Sequence, residues 1–171
     1  YGEGVPKDYE EARKWLRLAA DKELSEAQFA LGYLYFEGLG VEQDYKKAEH
    51  WYRKSAEQGY VLAQVSMGEL FFDGMGVSED IEIAAYWYSL AASQGDVRSQ
   101  YIIGLLTWGG VGGRQDQSLA YKWMILAADQ GVEEAQDKLI SYAEEMTSAE
   151  ITQAERLADA WRAEHYSSEN F

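Results

Sequence analysis

The chain of 171 residues has no cysteine, which removes a disulfide framework, a thiolate metal site and a cysteine nucleophile. Only two histidines are present, His50 and His165, far apart in sequence. No apolar run approaches the roughly 18–20 residues that cross a bilayer, so membrane insertion is not expected. No signal peptide is expected around Tyr1. Bases are scarce, with 15 Lys and Arg against 30 Asp and Glu, a net charge of −15. Such a chain repels phosphate backbones and anionic lipid surfaces, so no nucleic-acid partner is expected. From Ser55 to Val97 there is no base at all, while Glu57, Glu69, Asp73, Glu79, Asp80, Glu82 and Asp96 are present. That block is either a solvated face that keeps the protein soluble or a surface that steers a basic segment toward it.

What remains is the composition of a folded protein, 47% hydrophobic and 26% charged. Aromatics are abundant, with 6 Trp and 13 Tyr, and their placement decides whether they serve a core or an interface. A shift of 36 residues aligns the chain with itself. Gly2-Glu3-Gly4-Val5 returns as Gly38-Leu39-Gly40-Val41, Gly74-Met75-Gly76-Val77 and Gly110-Val111-Gly112-Gly113. Complete columns follow at Asp8/44/80/116, Ala12/48/84/120, Trp15/51/87/123, Ala20/56/92/128 and Gln28/64/100/136. A further column, Gly32, Gly68 and Gly104, ends at Ile140.

Each column has a physical reason. Over Ser25–Phe36 the residues Ala27, Ala30, Leu31 and Leu34 fall on one helical face, defining a helix A. Gly32 sits where a side chain would hold two helices apart. The Gly38/Gly40 pair stops helix A, and Asp44 caps a helix B that presents Ala48, Trp51, Tyr52, Ser55 and Ala56. Gly59, Gly95 and Gly131 stand just past the ends of successive B helices. Asp8-Tyr9-Glu10-Glu11 has capping-box spacing.

These boundaries predict an all-α solenoid of 36-residue helix-loop-helix repeats, one domain over 1–171. A half-repeat, helix B alone, occupies 1–24, and repeats span 25–60, 61–96 and 97–132. A terminal helix pair spans 133–166, with helix A repeated over Glu133–Met146. Its closing helix starts at the capping box Thr147-Ser148-Ala149-Glu150 and buries Ile151, Ala154, Leu157, Ala158 and Trp161. Residues 167–171 read as a tail. Because the chain starts inside an inter-helix loop, it reads as a piece of a longer array with an open N-terminal end through which it self-associates or continues.

From Ala27 to Tyr52 the pattern Ala-Gln-x-x-Leu-Gly-x-x-Tyr-x-x-Gly-x-Gly-Val-x-x-Asp, then Lys-Ala-x-x-Trp-Tyr, closely resembles the sel-one-like repeat, a relative of the tetratricopeptide repeat. Repeat three departs at Thr107 and Gly113, where the pattern has Tyr and Val. The resemblance implies a right-handed α/α superhelix whose A helices line a concave groove, and an adaptor or scaffold that binds proteins. It also implies a bacterial protein, periplasmic or secreted, of the variety without the disulfide that many members carry.

By repeat position the groove residues are Phe29, Tyr33 and Phe36, then Val65, Glu69 and Phe72, then Arg98, Tyr101, Leu105 and Trp108. Glu26, Leu62 and the terminal set Glu134, Asp137 and Ser141 complete the face. These positions vary between repeats, as a surface that reads a protein or peptide would. The competing reading is that the rings fill space between consecutive A helices. On the B helices, Lys47, His50 and Lys54 become Ile83, Tyr86 and Leu90 one repeat later. Leu18 and Leu126 match Leu90, so that position is expected in the core of most repeats. Ile83 and Tyr86 are either an exposed apolar patch or buried against the next repeat. Otherwise the chain is a structural spacer with no dedicated ligand.

Nothing in the sequence points to catalysis, a metal or a cofactor. His50 shares its slot with Lys14, Tyr86 and Lys122, a surface slot. Glu133/Glu134 and Glu144/Glu145 are adjacent in sequence and point to different sides of a helix. Gly109–Gly113 lacks the Gly-Lys-Ser/Thr ending of a phosphate loop.

Overall fold

A computed structural model describes residues 8–111 and 115–166. The loop expected at Gly2 and Gly4, the departure at Gly113 and the tail at 167–171 lie outside the described residues. Two compact units divide the chain, 1–80 and 81–171.

In the first unit aspartates start the B helices. Asp8 accepts a hydrogen bond from the Glu11 amide at 2.9 Å and begins α1, Tyr9–Ala20. Asp44 accepts from the Lys47 amide at 3.0 Å and begins α3, Tyr45–Glu57. Each carboxylate satisfies an amide that the first helical turn leaves without a partner. The A helices are α2, Ser25–Glu37, and α4, Val61–Asp73. They stop at Gly38 and Gly74, whose φ values of 70° and 67° are open to glycine at little cost. The loops then return, with the Asp44 and Asp80 amides donating to the Tyr35 and Phe71 carbonyls, both at 2.9 Å.

The second glycine of each pair has a separate role. A Cβ on Gly40 would lie 2.6 Å from Tyr9 Cβ, and one on Gly76 would lie 2.5 Å from Tyr45 Cβ. Each loop is therefore pressed against the first residue of the preceding B helix. Glu23 stands where Gly59 stands one repeat later and also has positive φ, 62° against 87°. A side chain in that region costs about 1–2 kcal/mol.

The second unit repeats the scheme with α5, Ile81–Ser93; α6, Val97–Trp108; and α7, Gln117–Asp129. It closes with α8, Glu133–Ala143, and α9, Ser148–Tyr166. Among the described residues all regular structure is helical. Helix α8 ends three residues short of Met146 because the chain turns there into the closing helix. Met146 is still buried, at 9% exposure, beside Met124, Ala135 and Tyr142. The capping box is made in both directions: Thr147 N donates to Glu150 at 2.8 Å, and Glu150 N donates to Thr147 Oγ1 at 3.3 Å. Helix α9 lies against α7, and its buried stripe carries Ala154, Ala158 and Trp161.

Within each unit a tryptophan joins a B helix to the repeat before it. Trp51 shares a buried cluster with Ala20, Ala27 and Leu31, and Trp123 shares one with Ala85, Ala92, Ile103 and Trp161. Within a repeat, glycine lets the pair close: a Cβ on Gly32 would meet the Tyr52 ring at 2.6 Å. Trp15 and Leu18 remain exposed, at 65% and 57%, because no described helix lies on that side of α1. The expectation that the Leu18 column is core thus holds for Leu126 and not for Leu18.

The structure supplies the reason for the glutamine column. Gln28, Gln64 and Gln100 are buried, and their Nε2 atoms donate to the carbonyls of Ala20, Ala56 and Ala92 at 3.2–3.3 Å. Those carbonyls lie at the C-terminal ends of the preceding B helices, where intrahelical partners run out. From the following B helix, Gln58 donates to Gln28 Oε1 at 2.7 Å and Gln130 to Gln100 Oε1 at 2.9 Å. Replacing Gln100 with leucine keeps the volume and removes both buried hydrogen bonds, the one to the Ala92 carbonyl and the one from Gln130. A loss of about 2–3 kcal/mol in urea unfolding is expected, against a near-neutral Gln136→Leu at the exposed end of the column.

Candidate partner-binding face

Helices α2 and α4 carry the outward positions of the first unit. Phe29 is half-buried, its ring 5.4 Å from Tyr52 and 5.3 Å from Tyr60. Phe36 lies 5.3 Å from Tyr45 and 6.3 Å from Tyr52. Both rings therefore pack on the helix pair that carries them. Tyr33 and Phe72 do not, and remain 45% and 41% exposed. Leu62 is 51% exposed, whereas Val65 and Glu69 are half-buried. Glu26 is exposed at the start of α2.

In the second unit Tyr101, Leu105 and Trp108 are half-buried against a cluster of Met124, Ala127, Ala135, Tyr142 and Met146. Trp108 stacks flat on Tyr142, with centroids 3.6 Å apart and planes 3° from parallel. Arg98, Glu134, Asp137 and Ser141 are exposed. The two competing readings of the rings thus divide by residue. Phe29, Phe36, Tyr101 and Trp108 have packing partners, and Tyr33 and Phe72 are exposed.

Beneath the first unit's face lies Tyr52, 2% exposed and hydrogen-bonded to Ser66. Burial pushes its phenol well above the ordinary range, and the charges of Glu37 and Glu69 add to the shift. Those carboxylates come from α2 and α4, so they bring negative charge to one place on the face. Sequence reasoning missed Glu37, whose negative charge becomes relevant only through its proximity to Tyr52.

Among the described residues no group of three or more His, Asp or Glu side chains is placed to hold a metal ion. His50 is exposed beside Trp51, and His165 stacks on Trp161 with its Nε2 2.8 Å from the Ser93 carbonyl. No described helix is long and apolar enough to cross a membrane. The acids of the Ser55–Val97 block are exposed or half-buried, and Asp96 is engaged as the N-cap of α6.

Helix pairs tied end to end by glutamine, with variable outward residues, define an α-helical repeat protein of the solenoid class. The chain belongs to the Sel1 repeat family, whose model matches residues 1–24, 25–60, 61–96 and 97–132. It is similar to a Sel1 repeat protein from Oxalobacter formigenes, at 34% identity and a TM-score of 0.77, over 99% of this chain and 69% of that one. It is similar also to c5321, a protective antigen present in uropathogenic Escherichia coli strains and displaying an SLR fold. That match has 38% identity and a TM-score of 0.77 over 95% of this chain, which spans about a third (35%) of the antigen. Helicobacter pylori cysteine rich protein B shares the fold at 23% identity and a TM-score of 0.55, over 74% of this chain and 96% of that one. No curated protein matches.

Tyr52 gives the fold a dependence on alkaline pH. Its folded pKa lies above the unfolded value of 10.0, so its contribution is complete below pH 10 and is lost as pH rises. Stability should fall above that point by up to roughly 1.4 kcal/mol per pH unit. Tyr52→Phe should flatten this decline in urea melts taken across the range.

Proposed function

We propose that the chain is a protein-binding scaffold, not an enzyme, and that it holds a segment of a partner on the outward face of its A helices. Sel1 repeats are generally protein-protein interaction modules, typically without catalytic activity of their own. The observation that carries the finer reading is the exposure of Tyr33 and Phe72, 45% and 41%, at positions that vary between repeats. Exposed rings held on rigid helices are effective anchors, each worth about 2 kcal/mol or more when a partner buries it. Phe29, Phe36 and Val65 form the ground between them, and Glu69 and Glu37 favour a basic side chain. In the second unit Arg98, Tyr101, Leu105 and Trp108 offer the corresponding surface. Replacing Tyr33, Phe72 and Tyr101 together with alanine should abolish capture of a partner identified by pull-down, with the helical circular-dichroism signal intact. Undiminished affinity would remove this face from consideration. Tyr33→Ala with Phe72→Ala alone tests the two exposed rings without touching the packed one.

A second reading, self-association, is supported by the exposed face of α1, where Trp15 and Leu18 stand beside Lys14 and Arg17. It expects a mass that rises with concentration in sedimentation experiments and returns to that of one chain in Trp15→Lys. A spacer without a ligand would show neither behaviour.

A further inference from the structure

In the second unit a groove of about 470 Å³ runs between α5 and α7. Ile103 and Thr107 of α6 line it, with Tyr86 of α5 and Trp123 of α7. The first unit has a counterpart beside α1, about 350 Å³, over Leu31 and Tyr35 of α2. Repeat positions match one to one: Leu31 with Ile103, Tyr35 with Thr107, Lys14 with Tyr86, and Arg17 with Ser89. The same slot of the fold therefore occurs twice with opposite chemistry. Beside α1 it is walled by bases. Between α5 and α7 those bases are gone, a threonine replaces the tyrosine ring below, and Glu82 and Asp116 are present instead.

Asp116 also lines an adjoining polar depression of about 370 Å³, together with Glu150. The apolar hollow and the carboxylate-lined one thus share Asp116 as a wall. Tyr86 is 57% exposed at the edge of the hollow, with Ile83 37% exposed on the same helix. The apolar volume falls in the ~300–1,000 Å³ range of clefts that enclose small ligands.

We propose that the α5–α7 groove is a second docking site, which takes one apolar side chain of a partner protein together with a neighbouring lysine or arginine. The apolar group enters against Ile103, Thr107 and Trp123, and the cation faces Asp116 and Glu150. Charge selects this occupant. The carboxylates disfavour an acidic segment, and the counterpart beside α1 shows how this fold makes the same slot basic. The site lies between B helices, so it is separate from the A-helix face and does not depend on it.

The test uses the whole chain and a fluorescein-labelled nonapeptide with one leucine between two pairs of lysines in a glycine-serine background. A version with glutamates for lysines is the control. The lysine peptide should bind saturably, weaken between about 50 and about 300 mM salt, and shift the Trp123 indole resonance. Glu82→Lys and Tyr86→Lys should each lower its affinity by about tenfold, while Tyr33→Ala with Phe72→Ala leaves it unchanged. Should Tyr86→Lys disturb the circular-dichroism signal, Glu82→Lys at its exposed position decides. Equal binding of the two peptides, or none, overturns the proposal. So does affinity indifferent to both lysine substitutions, or lost instead with the A-helix rings. Self-association abolished by Tyr86→Lys, without peptide binding, would assign the groove to a second copy.

Discussion

A carboxamide buried near the start of each full repeat's helix A governs how these repeats are joined. Gln28 and Gln100 reach back to the last carbonyls of one B helix and are met by a glutamine from the next. A buried amide left without partners costs about 1–3 kcal/mol, so the arrangement is close to all-or-none. Sliding helix A by one residue against the preceding B helix would strand the buried amide. Apolar contacts alone would resist such a slip weakly, because alanine and leucine tolerate many registers. The tryptophans then fill the joint that the glutamines align, and the glycines at positions 32 and 104 allow each pair to close.

The helices, their caps and the repeat boundaries were legible because repetition separates framework from surface. Asp44 and Gly38 read as a cap and a stop in isolation, and the column made each reading secure. The glutamine column was visible without its cause, since its bonds join residues eight and thirty positions apart. Such distances leave no periodicity in the sequence. The second loop glycine read as part of a turn, and its contact with Tyr9 or Tyr45 needed the neighbouring repeat in place. Leu18 and Leu126 show the limit most clearly: residues of one column, one exposed and one buried, because only one has a helix beside it.

The candidate site was legible as a set of variable positions and not as a surface. Phe29 and Tyr33 stand four residues apart on α2, and spacing places them on one face. Only the positions of Tyr52 and Tyr60 determine that Phe29 is packed while Tyr33 is open. The slot occupied by Lys14, His50, Tyr86 and Lys122 read as plain surface. Its meaning emerged when two members proved to line equivalent grooves of opposite charge. A constant framework with exchangeable slots lets one backbone present different chemistry at each repeat.

The loop glycine that abuts the start of the preceding B helix has an evolutionary consequence. The repeat over 25–60 carries both halves of this joint, Gly40 against Tyr9 of the unit before it and Tyr45 against Gly76 of the unit after it. A gene duplication that copies one whole period inserts a unit whose two ends already fit their new neighbours. A copy longer or shorter by one codon places a side chain where only hydrogen is tolerated. Arrays built this way grow and shrink in whole units, and variation accumulates where the joint does not reach.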